Sequence, residues 1–350
     1  MPLKDILQSL YKKGDVMSPE DIPPPIITLT PSPYANWVLS GGIVSGRTYQ
    51  IQGPPSGGKS MFTHAICSKL LNKDDELEVI IWYDVELSYA RHWHHVFMPD
   101  IPEERIILKR SNIASEVFDH ITDVVIPVLI EEKGLKVKAI VIDSLQSLRP
   151  PKIMNRESTE DAQYAALAGF LPDALTGILG PVRKYNIPLL IVSQVRANMD
   201  PSAKYTHEKF KAGAGYAWQH AIDVDLLFEM IESKDSKTFD STIKNANDNE
   251  VRTGHRVRIT NKKNKVSAPY RVGEFQLDYQ KGIVNTEEEI AKLGLNLGII
   301  TVEGNTYSFN GQKIAVGAAK TLEVIASSKA IQEAIIEAVE QSDKKTGDKK

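Results

Sequence analysis

Gly53-Pro54-Pro55-Ser56-Gly57-Gly58-Lys59-Ser60 stands directly after the strand-like run Arg47-Thr48-Tyr49-Gln50-Ile51-Gln52 and directly before the helical stretch Met61 to Leu71. A G-x-x-x-x-G-K-[ST] spacing between a strand and a helix is the context in which such a loop cradles phosphates. The glycines let successive backbone N–H groups point into one concavity, the helix N-terminus adds partial positive charge, and the lysine reaches the terminal phosphates. Gly53, Pro54, Pro55, Ser56, Gly57, Gly58, Lys59, Ser60 and the first residue of the following stretch, Met61, are therefore candidate nucleoside triphosphate contacts, with the Ser60 hydroxyl available to Mg²⁺. The matching flanks weigh against a ligand-free Gly-rich turn.

Outward from this loop, short apolar runs alternate with helical stretches: Glu78 to Asp84, a helix near Ser115 to Glu132, Lys138 to Asp143, a helix around Ala162 to Tyr185, and Pro188 to Gln194. That alternation predicts an α/β fold with a mostly parallel sheet and helices on both faces. After Gly215 the runs at Val224 to Met230, His255 to Thr260 and Glu274 to Tyr279 are separated by polar turns and predict antiparallel hairpins extending the sheet. A hairpin around Gly298 to Gly311 and a helix from Ala330 to Glu340 suggest a small C-terminal region. At the other end, Asp5 to Lys13 reads as a short amphipathic helix with Ile6, Leu7 and Leu10 on one face, followed by a Pro-rich linker.

Three polar residues close the apolar runs. Asp143 ends its strand where a phosphate-loop fold places the carboxylate of the magnesium shell. The residue after it is Ser144 rather than an acid, so the base that orients an attacking water must come from another strand. Asp84 and Glu86 project to one side by the period of two, which makes Glu86 the candidate general base. Gln194 closes its strand at the same carboxyl edge, where open α/β sheets bind ligands, and is a candidate sensor of the terminal phosphate.

The chain has 350 residues, 42% of them hydrophobic and 25% charged, which is ordinary globular usage and excludes wholesale disorder or a collagen-like or coiled-coil fibre. One cysteine, Cys67, excludes an internal disulfide and a cysteine-based zinc site. The apolar run Val124 to Ile130 contains Pro127 and falls far short of the roughly 20 residues that span a bilayer, and the charged N-terminus lacks a signal core, so a cytoplasmic location is expected. The formal net charge of −3 leaves no overall cationic field, and polyanion binding would need a local patch. His92, His94 and His95 lack a converging carboxylate or cysteine cluster and are not read as a metal site.

Taken in order, Gly41 to Ser60, Trp82 to Leu87, Ala139 to Pro150, Leu189 to Arg196, Asn264 to Ile283 and Asn305 to Ile314 resemble the RecA recombinases, including the UvsX-type versions encoded by bacteriophages. The resemblance covers residues 14 to 315 and implies a RecA-like ATPase core, ATP with Mg²⁺, and a homo-oligomeric helical filament. It also implies single-stranded DNA and homologous double-stranded DNA as partners, with single-strand binding and loading mediator proteins beside them. Lys263 and Lys265 match the lysines that reach across the subunit interface to the neighbour's γ-phosphate, and Tyr279 matches an aromatic beside the adenine. Between Glu86 and Pro99 the sequence departs from the bacterial pattern, so the second adenine aromatic is either Tyr89 or Trp93.

DNA contact is expected from two loops. The first, Pro151 to Asp161, carries Lys152 and Arg156. The second, Val195 to Gly213, carries Arg196, Lys204, Lys209 and Lys211 interleaved with Tyr205 and Phe210, cations for phosphates and rings for bases. Lys13 to Met17 resembles the segment that adds a strand to the next subunit, so Val16 and Met17 are candidate filament contacts. The organisation expected is an N-terminal arm and linker over 1–35, the core over 36–284, a small C-terminal domain over 285–341, and a disordered basic tail over 342–350. That basic tail, the short chain and the divergence after Glu86 lean toward a viral origin. A hexameric helicase of the same fold and a non-hydrolysing nucleotide-binding paralogue are the rival readings.

Overall fold

The computed structural model describes residues 24–151, 160–197, 210–212, 215–231, 242–244 and 250–347. Val16, Met17, Lys152, Arg156, Lys204, Tyr205 and Lys209 lie outside the described residues.

The chain opens with β1 (Ile27–Thr28), α1 (Pro33–Val38) and β2 (Ile43–Val44), and β1 pairs antiparallel with β2. Then come β3 (Thr48–Gly53), α2 (Lys59–Leu70), β4 (Glu78–Asp84), α3 (Arg91–Phe97), β5 (Ile106–Lys109) and α4 (Ala114–His120). α4 continues as a π-helix over Ile121–Glu132 with Pro127 inside it. Proline lacks the amide donor of an α-helical turn, and a widened register is one way a helix accommodates that loss. Next are β6 (Lys136–Asp143), α5 (Glu160–Lys184), β7 (Leu189–Ala197), β8 (Phe210–Ala212), α6 (Gly215–Ala221), β9 (Val224–Met230), β10 (Thr242–Lys244) and β11 (Glu250–Arg252). The last elements are β12 (Gly254–Asn264), β13 (Val272–Asp278), β14 (Gly282–Val284), α7 (Thr286–Asn296), β15 (Ile300–Glu303), β16 (Thr306–Phe309), β17 (Gln312–Val316), α8 (Ala318–Ser327) and α9 (Lys329–Gly347).

The main sheet has the order β14-β13-β12-β9-β3-β7-β6-β4-β5, with β8 paired to β7. From β9 to β5 every neighbouring pair is parallel. Val224 to Met230 pairs antiparallel with β12, as expected, and on its other side lies parallel to β3, with Tyr49 opposite Val224 and Gln52 opposite Leu227. The antiparallel extension begins at β12.

Strand alternation sends side chains to two separate cores. Ile80, Trp82, Ala139 and Val141 join Tyr49, Ile51, Phe62 and Phe228 on one face, while Ile81, Tyr83, Ile140 and Ile142 join Val117, Ile121, Leu171 and Trp218 on the other. Within α5, Ala165–Lys184 is long and apolar enough to cross a bilayer by length and composition. Its Leu167, Leu171, Leu175, Ile178 and Val182, three or four residues apart, are buried against the sheet, which makes the stretch the inner helix of the second core. Gly, Pro and Thr interrupt the run and hide it from a search for unbroken apolarity.

The C-terminal elements share the first core, through Ile290, Leu293, Ile300, Ile325, Ile335 and Val339. The expected tail from residue 342 begins instead inside α9, which runs to Gly347, and Asp343 accepts a hydrogen bond from Arg271 at 2.6 Å. The contact between α7 and α1 is polar at its centre. Glu289 is buried and accepts from Ser32 Oγ at 2.5 Å and from the Tyr34 N–H at 3.0 Å.

Burial pushes the Glu289 carboxyl up to about 8, against the opposing pull of the Ser32 and Tyr34 hydrogen bonds. The folded protein therefore holds a proton there that the unfolded chain releases near 4.5, so this contribution to stability is complete below about 4.5 and is lost as pH rises through about 8. Glu289→Gln keeps an acceptor for Ser32 and Tyr34 and cannot ionise. Its Tm is expected to exceed that of the parent increasingly from pH 6 to pH 9 in thermal melts, and parallel Tm curves would sink the assignment.

Candidate functional site

β3 is buried along its whole length and ends at Gly53, from which the loop crosses to α2. A Cβ on Gly53 would lie 2.1 Å from the Phe228 carbonyl oxygen of the neighbouring strand, so only glycine allows that approach. Gly58 sits at φ +87, where a Cβ would also meet Leu277 Cδ1 at 2.5 Å. The Gly57 N–H donates to the Pro54 carbonyl at 3.3 Å, Ser56 takes φ +60, and Pro55 and Ser56 are exposed at the loop's tip. Met61 packs against the first core behind the loop. Lys59 Nζ donates to the carbonyls of Gly53 (3.0 Å) and Pro54 (2.8 Å), which holds its cation under the loop. Burial lowers the Lys59 pKa, while Asp143 and Glu86 pull it back up.

Asp143 ends β6 beside this lysine. Its carboxyl is pushed up to about 6, first by burial and then by Glu86 and Asp84, while a hydrogen bond from the Ser60 hydroxyl and the charge of Lys59 lower it. A hydroxyl and a carboxylate in contact at the start of a helix form an all-oxygen donor pair, the chemistry Mg²⁺ takes alongside phosphate oxygens. The residues present fit that ion.

Glu86 lies one residue beyond Val85, past the end of β4. β4 ends at Asp84, so the period of two does not carry through to Glu86, and the two acids have different surroundings. Asp84 is buried and structural: it accepts from the N–H groups of Ser88 (2.8 Å) and Tyr89 (3.2 Å) and from Arg110 Nε (3.1 Å). Glu86 is exposed, and its Oε1 accepts from Ser144 Oγ, from Ser147 Oγ at 3.4 Å and from Gln194 Nε2 at 3.2 Å. The sequence reading missed Arg110, Gln146 and Ser147. No motif marks them, because each acts through a turn that exists only once the strand ends converge.

Lys263 and Lys265 are not near the phosphate loop of their own chain. Lys263 Nζ donates to the Gln219 carbonyl, and Lys265 Nζ donates to the His220 carbonyl at 2.6 Å and pairs with Asp223 at 3.5 Å. Asp223 also accepts from the Thr48 N–H at 3.1 Å, at the start of β3. The loop begins at the other end of that strand, about 17 Å away at 3.3 Å per residue.

Of the two candidate aromatics, Trp93 stands edge-on to Tyr279 with ring centroids 6.1 Å apart, and Tyr279 contacts His255 Nδ1 through its hydroxyl at 3.0 Å. Tyr89 turns inward, 5.3 Å from both His64 and Trp82, and burial raises its pKa. His64 itself is buried under the loop with Nδ1 2.8 Å from the Ser60 carbonyl, and burial lowers it to about 4, so it stays neutral. The other histidines disperse: His92 faces the Tyr279 carbonyl, His94 the Ile101 carbonyl, and His95 Glu103. Among the described residues no group of three or more His, Cys, Asp or Glu could hold a metal ion.

β7 runs past Gln194 to Ala197 and pairs antiparallel with β8, with Arg196 opposite Lys211 and Ala197 opposite Phe210. With Val195 and Ala212, which also pair, these are the described part of the second expected DNA loop.

A parallel sheet whose central strand feeds a Gly-rich loop and helix, with Asp143 and Ser60 in contact beneath it, defines a P-loop protein of the α/β class. The profile of the RecA N-terminal domain matches residues 31–284. The chain belongs to the RecA family of recombinases. It is 22% identical over 333 residues to the protein RecA of Oleidesulfovibrio alaskensis, covering 94% of this chain and 87% of that one. It is 25% identical over 309 residues to the protein RecA of Campylobacter lari, covering 86% and 80%. With the protein RecA of Wigglesworthia glossinidia brevipalpis it shares 27% over 281 residues, covering 79% and 75%.

Proposed function

We propose that this chain is an ATP-dependent recombinase that assembles as a head-to-tail helical filament on single-stranded DNA, pairs that strand with a homologous duplex, and hydrolyses ATP where subunits meet. It would work in the cytoplasm. The observation that carries the reading is the division of the site. Lys59, Ser60, Asp143, Glu86 and Gln194 gather at the carboxyl edge of the sheet, while Lys263 and Lys265 lie at the opposite edge, beside Asp223. Only a second copy, presenting its lysine edge to the first copy's phosphate edge, completes a triphosphate site. A contact of that kind joins unlike surfaces and propagates as an open helix unless rotation closes it.

In the assembled site the loop amides and Lys59 hold the phosphates, and Ser60 with Asp143 hold Mg²⁺, which neutralises phosphate charge when bound. Glu86 takes the proton of the attacking water, and the neighbour's Lys263 and Lys265 stabilise the charge that develops on the γ-phosphate. Supplying those cations from the neighbour makes turnover depend on assembly. Trp93 and Tyr279 together offer the aromatic surface for the base, with Tyr89 behind them. Gln194 is bonded to Glu86 on one side and continues through Arg196 into the β7–β8 pair on the other. That path links phosphate occupancy to the DNA-facing segment. Lysines and aromatics there suit sequence-tolerant binding of a single strand.

Steady-state ATP hydrolysis with and without homopolymeric single-stranded DNA, at matched low salt, tests this reading. Severalfold or greater stimulation is expected, with filaments rather than rings in electron micrographs. Absence of turnover in both conditions would leave a nucleotide-binding paralogue.

A further inference from the structure

Parallel pairing between β6 and β7 stops at Ile142 opposite Ile191, and β7 runs on to Ala197 without that partner. The gap is bridged by one side chain. Gln146 Nε2 donates to the Gln194 carbonyl at 2.8 Å, and Gln146 Oε1 accepts from the Gln194 N–H at 2.8 Å. Its amide thus stands where the peptide group of a neighbouring strand would stand and satisfies both backbone groups of one residue. Gln146 belongs to the short 3₁₀ turn Leu145–Ser147 that follows Asp143, and the flanking Ser144 and Ser147 hydroxyls both reach Glu86 Oε1. The Gln194 side chain reaches the same oxygen at 3.2 Å. One four-residue turn therefore grips Glu86 through two hydroxyls and the Gln194 backbone through an amide.

We infer that Gln146 is a positioning residue that fixes Gln194 against Glu86 and so lets nucleotide occupancy be felt in the segment beyond Ala197. The inference rests on the hydrolytic function proposed above for this site. Without the amide, the Gln194 N–H and C=O lose their partners just where β7 leaves β6, and the side chain that meets Glu86 is carried on an untethered backbone. The magnesium pair, Ser60 and Asp143, and the phosphate loop make no hydrogen bond to Gln146 among the described residues, so nucleotide binding itself is expected to survive.

The test compares the full-length parent with Gln146→Ala, Gln194→Ala and the double variant. Gln146→Ala is expected to lower DNA-stimulated turnover by about tenfold, the scale of one or two hydrogen bonds, with KM for ATP within about twofold of the parent. In the Gln194→Ala background the second change is expected to add nothing, because Gln146 acts through Gln194. Gln146→Met, which keeps side-chain volume without polar atoms, is expected to match the alanine variant. Hydrogen exchange supplies a readout independent of turnover: the Gln194 amide is expected to exchange at least about tenfold faster in Gln146→Ala while Leu190 to Val192 keep their protection. Additive losses in the double variant, or a Gln194 amide that stays protected, would overturn the inference. If the parent itself fails to hydrolyse ATP, the proposed function falls, and the exchange comparison alone still decides the role of Gln146.

Discussion

Glu86→Gln is expected to cut DNA-stimulated ATP turnover by about a hundredfold or more while ATP binding and assembly on single-stranded DNA persist. The substitution leaves nearly everything in place. Gln retains an oxygen that can accept from Ser144 Oγ, Ser147 Oγ and Gln194 Nε2, the three donors that meet Glu86 Oε1. The turn around Val85, whose N–H donates to the Asp143 carbonyl at 2.8 Å, does not involve the side chain. What disappears is a carboxylate able to take a proton from water. Turnover measured alongside nucleotide affinity and filament imaging separates the effects. Normal hydrolysis in this variant would remove Glu86 from its role, and loss of ATP binding would mean that the carboxylate holds the loop instead.

Mixing two inactive variants is expected to restore activity. Lys59→Ala removes the cation that sits under the phosphate loop, and the Lys263→Ala, Lys265→Ala double variant removes the two that sit at the opposite sheet edge. If each site takes Lys59 from one copy and Lys263 with Lys265 from the next, a filament of either variant alone has no complete site. In a random one-to-one mixture, an interface is complete when a chain with intact Lys59 meets a neighbour with intact Lys263 and Lys265. About one interface in four meets that condition, so turnover near a quarter of the parent's is expected. A site built within one chain predicts no recovery at any ratio. The measurement is ATP hydrolysis against mixing ratio on saturating single-stranded DNA, with a maximum expected near equal amounts. The two predictions differ because within one chain Lys265 pairs with Asp223 beside Thr48, at the end of β3 away from the loop.

The residues that were readable beforehand are those whose chemistry lies within a short stretch of chain. The phosphate loop, the strands at Glu78 to Asp84 and Lys138 to Asp143, and the polar closers Asp143 and Gln194 follow from local spacing. Periodicity misleads where the element ends before the pattern does. Asp84 and Glu86 are not one face of a strand: the chain leaves β4 at Asp84, and Leu87 takes φ +57, so one acid is buried in a turn and the other faces the site. Val224 to Met230 is antiparallel to β12, as its polar and turn-rich surroundings predict, but the pairing on its other side is not visible locally. Its parallel partner β3 lies some 170 residues earlier, as the Gln52 to Asp225 contact shows. No local signal marks Gln146, because an amide in a turn acquires meaning only from the backbone it meets, 48 residues away.

The amino-acid sequence by itself determined that a strand feeds a Gly-rich loop and a helix, that a parallel sheet is built around it, and that Lys59, Ser60 and Asp143 are the candidates for a triphosphate and magnesium site. Those features depend on neighbouring residues and on periods of two and 3.6, which are written along the chain. The tertiary structure alone decided that Glu86, Ser144 and Gln194 meet at one carboxylate oxygen although 58 and 108 residues separate Glu86 from its partners. It alone set Lys263 and Lys265 at the far edge of the same sheet, and sank Glu289 where its carboxyl holds a proton. Convergence, separation and burial come from strand order and register. These are set by packing both faces of the sheet at once, and no local stretch of sequence carries that information.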